Sequence, residues 1–361
     1  MGRVKSRWLC LVSLALGLAG CGGIAVIDAL EEDGVTQEDA ESRRVIAISA
    51  GGYHTCALRA DHTITCFGGV VGSSPQELPF SPSVEVAVGA WGVCARTELG
   101  TVECIDLDYN QPHSIPAPYV VAGIGDASQI TVGPGHACAV RASGQLVCWG
   151  NNELGQLGNG SFEASATPTP VGLGPVRWAS AGEFNVCALT DDGVFCWGRG
   201  AFGALGDGVS YPSEQVAPPE QTCQPQPVQV VGLTAPTKLS AGLNAACVVD
   251  GPAGAVACWG DAPWLAEVTA ADGINDVFVG YDSECCVLHQ DRSLSCWGHG
   301  AFGAIPGLSD IEAVTGGWSH TCALDDSGEV RCWGVSEATA SWAPDSADGE
   351  ESWDEPRLVE L

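Results

Sequence analysis

Apolar and polar residues alternate along two short arms between Val132 and Gly150, and a glycine-bearing turn at 142–144 separates the arms. Alternation with a period of two predicts β-strands with one buried face, and the turn joins them into a hairpin. Each arm carries one cysteine, Cys138 or Cys148, and Gly133 stands five residues before the first of them. The stretch therefore predicts a β-hairpin with a cysteine on either strand.

The same pattern occurs seven times along the chain. Five copies end in Cys-Trp-Gly, and the other two end in Cys66-Phe67-Gly68 and Cys104-Ile105-Asp106. A supersecondary unit that returns along a whole chain is typical of a propeller or a solenoid. Each copy also has a glycine five residues before its first cysteine, and these are Gly51, Gly89, Gly133, Gly182, Gly242, Gly280 and Gly317.

The two cysteines of each copy lie 9 to 11 residues apart across one turn. Opposed residues of antiparallel strands are close enough for a disulfide, so each hairpin is expected to carry its own bridge. The alternative is zinc, but structural zinc sites favour closely spaced cysteine knuckles that meet in fours. The predicted pairs are Cys56–Cys66, Cys94–Cys104, Cys138–Cys148, Cys187–Cys196, Cys247–Cys258, Cys285–Cys296 and Cys322–Cys332.

Within the predicted propeller, two cysteines remain outside this rule, Cys223 and Cys286. A bridge between them would fix a long insertion of the fourth unit to the sixth unit. The alternatives are two free thiols or a vicinal bridge between Cys285 and Cys286.

The segments that follow the third and fourth hairpins carry a further motif, which reads Glu-Leu-Gly-Gln-Leu-Gly at 153–158 and Ala-Phe-Gly-Ala-Leu-Gly at 201–206. With these residues the chain resembles the regulator of chromosome condensation repeat family from about residue 43 to residue 361. The resemblance implies an all-β fold, a seven-bladed β-propeller. A Pro-x-x-Val strand precedes the other units, but none precedes the first unit. We therefore expect the C-terminal strand, 356–361, to complete the first blade and close the ring.

The first residues have the features of an export signal. Arg3, Lys5 and Arg7 precede a short apolar run, and Leu-Ala-Gly-Cys21 resembles the lipidation signal of bacterial lipoproteins. The alternative is an ordinary signal peptide that leaves Cys21 as a spare thiol. The predicted organisation is a lipoprotein signal at 1–20, an acidic flexible tether at 21–42 and a propeller at 43–361, with insertions at about 209–227 and 336–355. Seven disulfides agree with export, so we expect a lipid-anchored protein of the bacterial cell envelope, at the outer membrane or cell surface.

The formal net charge is −30, and removal of the three basic residues of the signal takes it to −33. Such a surface repels phosphate backbones, which argues against nucleic acid as a partner. Solubility is the simplest explanation of the charge.

Two sets of side chains could carry function. His54, His136 and His320 share one register and could form a metal ring, but the family resemblance implies that each bonds to nearby backbone. Tyr53, Trp91, Phe184 and Trp318 occupy the turn before this position and could form an aromatic binding face or pack between blades. The tryptophans of Cys-Trp-Gly are expected in the core. The sequence holds no Gly-x-Ser-x-Gly, His-Glu-x-x-His or phosphate-binding loop, so we expect no catalytic residue, metal or cofactor.

These observations favour a non-enzymatic scaffold, monomeric and membrane-tethered, that binds a protein or a saccharide. Some secreted bacterial members of the family inhibit other proteins, which agrees with a protein target. The alternatives are a hydrolase or lyase with a site in the insertions, and nucleotide exchange on a small GTPase as in the family's namesake.

Overall fold

The computed structural model describes residues 41–361 except 109, 112–113, 210, 213–217, 262–267, 269–271, 281–283, 299–300 and 335–352. In this part of the chain, β-strands dominate and helical residues are few. A four-residue helix, α1 (Pro219–Thr222), follows the fourth hairpin. None of the helical residues described forms a segment long and apolar enough to cross a membrane. The signal, the tether up to residue 40 and Cys21 lie outside the described residues.

The strands form seven antiparallel sheets, which are the blades of a β-propeller. Blades 1 to 3 contain β1 (Val45–Gly51), β2 (His54–Arg59), β3 (Ile64–Gly68) and β4 (Gly72–Glu77); β5 (Ser83–Val88), β6 (Gly92–Thr97), β7 (Thr101–Asp106) and β8 (Tyr119–Gly125); and β9 (Ala127–Val132), β10 (His136–Arg141), β11 (Leu146–Gly150) and β12 (Ser165–Pro170). Blades 4 and 5 contain β13 (Val176–Ala181), β14 (Asn185–Thr190), β15 (Gly193–Arg199) and β16 (Cys223–Gln229); and β17 (Pro236–Ala241), β18 (Ala245–Asp250) and β19 (Ala255–Gly260). Blades 6 and 7 contain β20 (Ile274–Val279), β21 (Cys285–His289), β22 (Leu294–Gly298) and β23 (Ala301–Ala304); and β24 (Ile311–Gly316), β25 (His320–Asp325), β26 (Val330–Gly334) and β27 (Trp353–Val359).

The expected closure by the C-terminal strand is wrong. β27 pairs with β26 of its own blade, and the first blade is complete as β1-β2-β3-β4. The proline-bearing strand follows its hairpin and becomes the outer strand of the same blade, instead of preceding the next unit. Two such strands, β16 and β27, begin at Cys223 and Trp353, within ranges that the sequence assigned to insertions.

The ring closes between blades 7 and 1 by packing and side-chain hydrogen bonds. Val45, Ala57 and Phe67 share one buried cluster with residues of blade 7. The Ala50 amide donates to Thr315 Oγ1 over 2.9 Å, and the Trp318 amide donates to the Gly52 carbonyl over 2.8 Å. No exchanged strand is therefore needed to hold the first and last blades together.

The glycine before the hairpin has a packing reason in six of the seven blades, all except the sixth, where a Cβ on Gly280 would meet nothing closer than 3.5 Å. A Cβ on Gly133 would lie 2.6 Å from the Gly182 carbonyl of the next blade, and a Cβ on Gly51 would lie 2.5 Å from the Val88 carbonyl. The same close approach of backbones recurs at Gly89, Gly182, Gly242 and Gly317. Only glycine fits at these positions, because any Cβ would force the inner strands of neighbouring blades apart.

Hydroxyl side chains two residues before these glycines join the inner strands. Ser49 Oγ accepts a hydrogen bond from the Val88 amide over 3.0 Å, and Ser240 Oγ accepts one from the Val279 amide over 2.9 Å. Thr131, Ser180 and Thr315 make the equivalent bond to the blade that follows each of them. These bonds satisfy amides at the blade edges, which would otherwise be buried without a partner.

The motif after the third and fourth hairpins also links neighbouring blades. The buried Trp197 donates its indole N–H to the Gln156 carbonyl over 2.8 Å, and Trp259 donates to the Ala204 carbonyl over 3.1 Å. Gly158 lies so close to the Trp197 ring that a Cβ there would be 2.6 Å from Nε1. Each glycine-bearing segment thus forms the surface against which the tryptophan of the following blade packs.

Six of the seven predicted disulfides are present, and in each the two cysteines are direct partners across the hairpin. Their Cα atoms lie 4.0 to 4.1 Å apart. Eleven of these twelve cysteines are buried and Cys258 is partly buried, and each bridge adds a covalent link to its hairpin.

The predicted Cys285–Cys296 pair is wrong, because the sixth blade joins Cys286 to Cys296. In the other blades a glycine amide donates to the residue three positions on, as Gly133 does to His136, whereas Gly280 donates to the carbonyl of Glu284, four positions on. One extra residue in the turn shifts the strand register, and a shift by one exchanges its two faces. The predicted Cys223–Cys286 bridge is therefore also wrong, and Cys223 and Cys285 are buried thiols outside any disulfide.

Candidate functional site

Alternating strand direction places all turns of one kind on one side of the disc. We call the turn face the side that carries the turns between first and second strands, the loops between third and fourth strands, and the strand ends that flank them. The opposite face carries the turns between second and third strands. The four aromatic residues singled out from the sequence all lie on the turn face.

Three of these four aromatic residues form one cluster, at the point where blades 7, 1 and 2 meet. The ring of Trp318 lies edge-on to Tyr53, with 5.1 Å between centroids, and edge-on to Trp91, with 6.0 Å between centroids. Trp91 is 46% exposed, and Tyr53 and Trp318 are half-buried. The aromatic cluster (Tyr53, Trp91 and Trp318) thus agrees with both predicted roles, because it packs between blades and also presents ring surface to solvent.

Phe184 is not part of this cluster. The guanidinium of Arg199 lies 5.4 Å from the centre of the Phe184 ring and 5.7 Å from that of Phe202, and it donates to Asn244 Oδ1 over 3.2 Å. These distances are those of cation–π contacts. Sequence reasoning missed Arg199, although its position directly after Cys-Trp-Gly could have placed it beside the aromatic turn.

Two exposed carboxylates lie beside the aromatic cluster. Asp106 is the strand partner of Gly92, the residue after Trp91, and Asp108 follows two residues later in the loop. Asp106 accepts a hydrogen bond from the Tyr119 hydroxyl over 3.2 Å, and burial together with the Asp106 charge raises the pKa of Tyr119 to about 12. Hydrogen bonds from Asn110 lower the pKa of Asp108. The edge of the cluster therefore carries negative charge at neutral pH.

Basic residues are distributed unequally between the two faces. Arg199 is the only lysine or arginine among the described residues of the turn face. The arginines toward the opposite face form ion pairs with carboxylates there, and these pairs are Arg44–Glu41, Arg141–Asp126, Arg177–Asp191, Arg292–Glu312 and Arg331–Glu329. Arginines thus offset the acidic charge of the opposite face, whereas most of the acidic charge of the turn face has no described arginine beside it.

The three histidines of the shared register are buried between blades. His320 shares a hydrogen bond of 2.7 Å with Thr55 Oγ1 of the neighbouring blade, and both ring nitrogens of His54 lack a hydrogen-bond partner. Burial lowers the pKa of His136 and His320 to about 4; burial, and then the charge of His320, lowers that of His54 to about 3. The structure brings His54 and His320 near each other, whereas His136 lies in blade 3.

In the sixth blade the corrected register places Glu284 at the histidine position. Its carboxylate accepts a hydrogen bond from Thr321 of blade 7, just as His320 meets Thr55 of blade 1. The Glu284 carboxylate also lies within 4.8 Å of the sulfurs of Cys286 and Cys296. Because those two sulfurs are bonded to each other, they offer no thiolate to an ion.

One serine–histidine contact occurs in the same blade, between Ser295 Oγ and His289 Nε2 over 2.9 Å. Ser295 is buried, and the nearby Asp291 carboxylate is engaged by Ser293. A nucleophile must reach its substrate, and this hydroxyl lies within a blade. We therefore interpret the contact as a structural hydrogen bond.

The central channel encloses about 560 Å³ and is lined by the first strands of all seven blades. Gln129, at its wall, donates to the Ala179 carbonyl and accepts from the Ala179 amide, and so joins blades 3 and 4. Glu85 pairs with Arg96 of its own blade over 2.6 Å and accepts a hydrogen bond from the Ile130 amide of blade 3 over 3.1 Å. Lys238 of blade 5 pairs with Asp276 of blade 6 over 3.5 Å. The polar groups of the channel thus link the blades of the ring.

Comparison with known proteins gives a consistent result. Models of the regulator of chromosome condensation (RCC1) repeat match residues 45–69, 127–156, 179–204 and 311–337, and a second model of the same repeat matches residues 143–189. The Ultraviolet-B receptor UVR8 of Arabidopsis thaliana is 25% identical over 335 residues, which cover 84% of this chain and 68% of the receptor. The human E3 ubiquitin-protein ligase HERC2 is 26% identical over 298 residues, which cover 72% of this chain but 6% of the ligase.

Solved structures agree on the fold. Human WBSCR16 superposes with a TM-score of 0.63 at 18% identity, covering 80% of this chain and 84% of WBSCR16. Yeast RCC1 (Prp20), in a crystal structure bound to Kap60, superposes with a TM-score of 0.54 at 21% identity, covering 88% of this chain and 75% of that one. At these identities the similarity concerns the architecture of the propeller.

Proposed function

The chain contains regulator of chromosome condensation repeats folded as a seven-bladed β-propeller, and we propose that this propeller is a non-enzymatic scaffold that binds a protein through the aromatic cluster on its turn face. The observation that carries the proposal is the exposed ring of Trp91, held in place by edge-on contact with Trp318. Large, rigid aromatic side chains contribute much of the binding energy at protein interfaces and lose little entropy on binding.

A protein partner agrees with one structurally similar protein. Yeast RCC1 was solved bound to Kap60, another protein. The disulfide in every hairpin supports a propeller that works in an oxidising compartment, so we also propose export and lipid anchoring at Cys21. The propeller would then act as a monomer at the cell envelope, with its turns free to meet the partner.

The buried positions of the histidines favour a scaffold over an enzyme. His54, His136 and His320 are shielded between blades, where they cannot act as general bases on an external substrate. Nucleotide exchange on a small GTPase is disfavoured for an exported protein, because such GTPases are cytosolic.

Crosslinking from matched positions tests the binding face. A photoreactive residue at Phe202, which is 48% exposed on the turn face, is expected to give a covalent adduct with one protein of the native envelope. The same residue at Leu99, which is 83% exposed on the opposite face, is expected to give none. The Phe202 adduct should be lost in Trp318→Ala. An adduct from Leu99 alone, or one that survives Trp318→Ala, would overturn the proposed face.

A further inference from the structure

The chemistry of the partner can be inferred from blade 4, where an arginine of the blade packs against the aromatic residues of its own turn face. In blade 4 the Arg199 amide donates to the Phe184 carbonyl over 3.0 Å, and the Arg199 side chain places its guanidinium against the rings of Phe184 and Phe202. In blade 2 the Leu107 amide makes the same bond to the Trp91 carbonyl over 2.8 Å. The two positions are therefore equivalent, and one holds arginine where the other holds an uncharged leucine.

The first blade follows the same pattern. Gly69, which stands where Arg199 stands in blade 4, lies directly against Tyr53, and a Cβ there would be 3.2 Å from the tyrosine Cβ. Glycine leaves the space beside the Tyr53 ring without a side chain from this position. Blades 1 and 2 thus present aromatic rings beside positions that carry no charge.

Charge around the aromatic cluster completes the site. Exposed Asp106 is the strand partner of Gly92, the residue after Trp91, and exposed Asp108 follows Leu107, whose amide donates to the Trp91 carbonyl. The basic residues of the described chain, apart from Arg199, lie away from this face. A guanidinium over an indole ring with carboxylates at its edge gains both cation–π and charge-assisted hydrogen bonding. The planar fork of arginine suits this combination better than the compact ammonium of lysine.

We propose that the aromatic cluster, with Asp106 and Asp108, binds an arginine-bearing segment of the protein partner, whose guanidinium takes the place that Arg199 takes in blade 4. This inference rests on the proposed function and specifies the partner's chemistry at the same face. The net charge of −30 would steer such a segment toward the propeller, and the aromatic cluster would determine where it binds.

A peptide of alternating arginine and glycine is a suitable probe, and the same peptide with citrulline is its uncharged equivalent. Binding is measured by fluorescence anisotropy of labelled peptide at low and physiological salt. The arginine peptide is expected to bind wild type more tightly than the citrulline peptide. Trp91→Leu and the double variant Asp106→Asn, Asp108→Asn should each weaken binding about fivefold, as expected for loss of one cation–π contact or of its carboxylates.

Matched variants separate a specific site from general attraction to an acidic protein. Trp178 is as exposed as Trp91, at 46%, but lies on inner strand β13, so Trp178→Leu should bind the arginine peptide like wild type. Trp91→Phe keeps an aromatic face and should retain most of the affinity. A thermal melt of each variant verifies folding. Equal loss in Trp91→Leu and Trp178→Leu, or equal binding of the citrulline peptide, would overturn the proposal.

Two further results distinguish the possible failures. If the arginine peptide does not bind but Phe202 still crosslinks to a protein, the scaffold function stands and the arginine-bearing partner is refuted. If a neutral chitin oligosaccharide binds wild type and not Trp91→Leu, while the arginine peptide binds both equally, the cluster is a saccharide site and this inference is refuted.

Discussion

Acid should unfold this propeller because three histidines are buried in uncharged form. The pKa of His136 falls from 6.5 to about 4 on burial, and that of His320 falls equally, whereas His54 reaches about 3. As the pH drops below 6.5, the unfolded chain takes up protons that the folded chain refuses. The free energy of unfolding therefore decreases between pH 6.5 and pH 4, and it is fully retained only above 6.5.

The size of the effect follows from the shift. Each pKa unit corresponds to about 1.4 kcal/mol, so His136 alone should account for a loss of about 3 kcal/mol between pH 6.5 and 4. Burial of His54 and His320 lowers stability at acid pH in the same direction. The loss from His136 alone is already a large part of the stability of a typical domain, about 5–15 kcal/mol. His54 and His320 influence each other's charge, so His136 gives the cleanest test.

The natural substitution at this position is asparagine, because Asn185 occupies it in blade 4 and packs against Gly182 as His136 packs against Gly133. His136→Asn should reduce the dependence of unfolding free energy on pH by about 1.4 kcal/mol per pH unit between pH 6 and 4.5. The measurement is urea unfolding, followed by tryptophan fluorescence, at a series of pH values.

A control variant separates packing from proton uptake. Asn185→Ala removes a buried side chain at the equivalent position without removing a titrating group, so it should lower stability by a similar amount at every pH. Other groups that titrate below pH 5 cancel when wild type and variant are compared. If His136→Asn keeps the wild-type pH dependence, the account of the buried histidines is refuted.

Three further predictions concern the ring and its cysteines. Gly133→Ala should destabilise the propeller by about 1–3 kcal/mol in urea unfolding, whereas Gly172→Ala, where a Cβ meets nothing within 4 Å, should be nearly neutral; equal effects would contradict the backbone contact. Deletion of 353–361 should raise the rate of hydrogen exchange in β26 and leave β1 protected. Loss of protection in β1 would instead support the rejected hypothesis that the last strand pairs with the first blade. Cys285→Ala should leave all seven disulfides intact in peptide mapping, whereas Cys286→Ala should free Cys296; the reverse result would show that the register of blade 6 is wrong.

The hairpins and six disulfides could be predicted because they depend on local alternation and spacing. The order of strands around the ring could not, since a strand such as β16 (Cys223–Gln229) lies between two hairpins and the sequence does not say which one it joins. The sixth disulfide was misassigned because the turn between Gly280 and Glu284 is one residue longer than the others. A count from the second cysteine of that hairpin, at the usual separation of 10, would have given Cys286.

The binding face was only partly readable from the sequence. Aromatic residues in equivalent turns were visible, but their separation into two groups depends on which blades adjoin across the ring closure, as Trp318 and Tyr53 do. The hydroxyls that join the blades were readable and were missed. Ser49, Thr131, Ser180 and Ser240 all stand two residues before a hairpin glycine, and only the packing of neighbouring inner strands explains why.

The most direct test of a binding scaffold is hydrogen–deuterium exchange of the propeller with and without its crosslinked partner, once that partner is purified. Binding through the turn face predicts slower exchange in the turns at 52–53, 89–91 and 317–319, and in the loop that begins at Leu107. The turns of the opposite face at 98–100 and 142–145 should exchange at an unchanged rate. Slower exchange confined to those opposite turns would contradict the account.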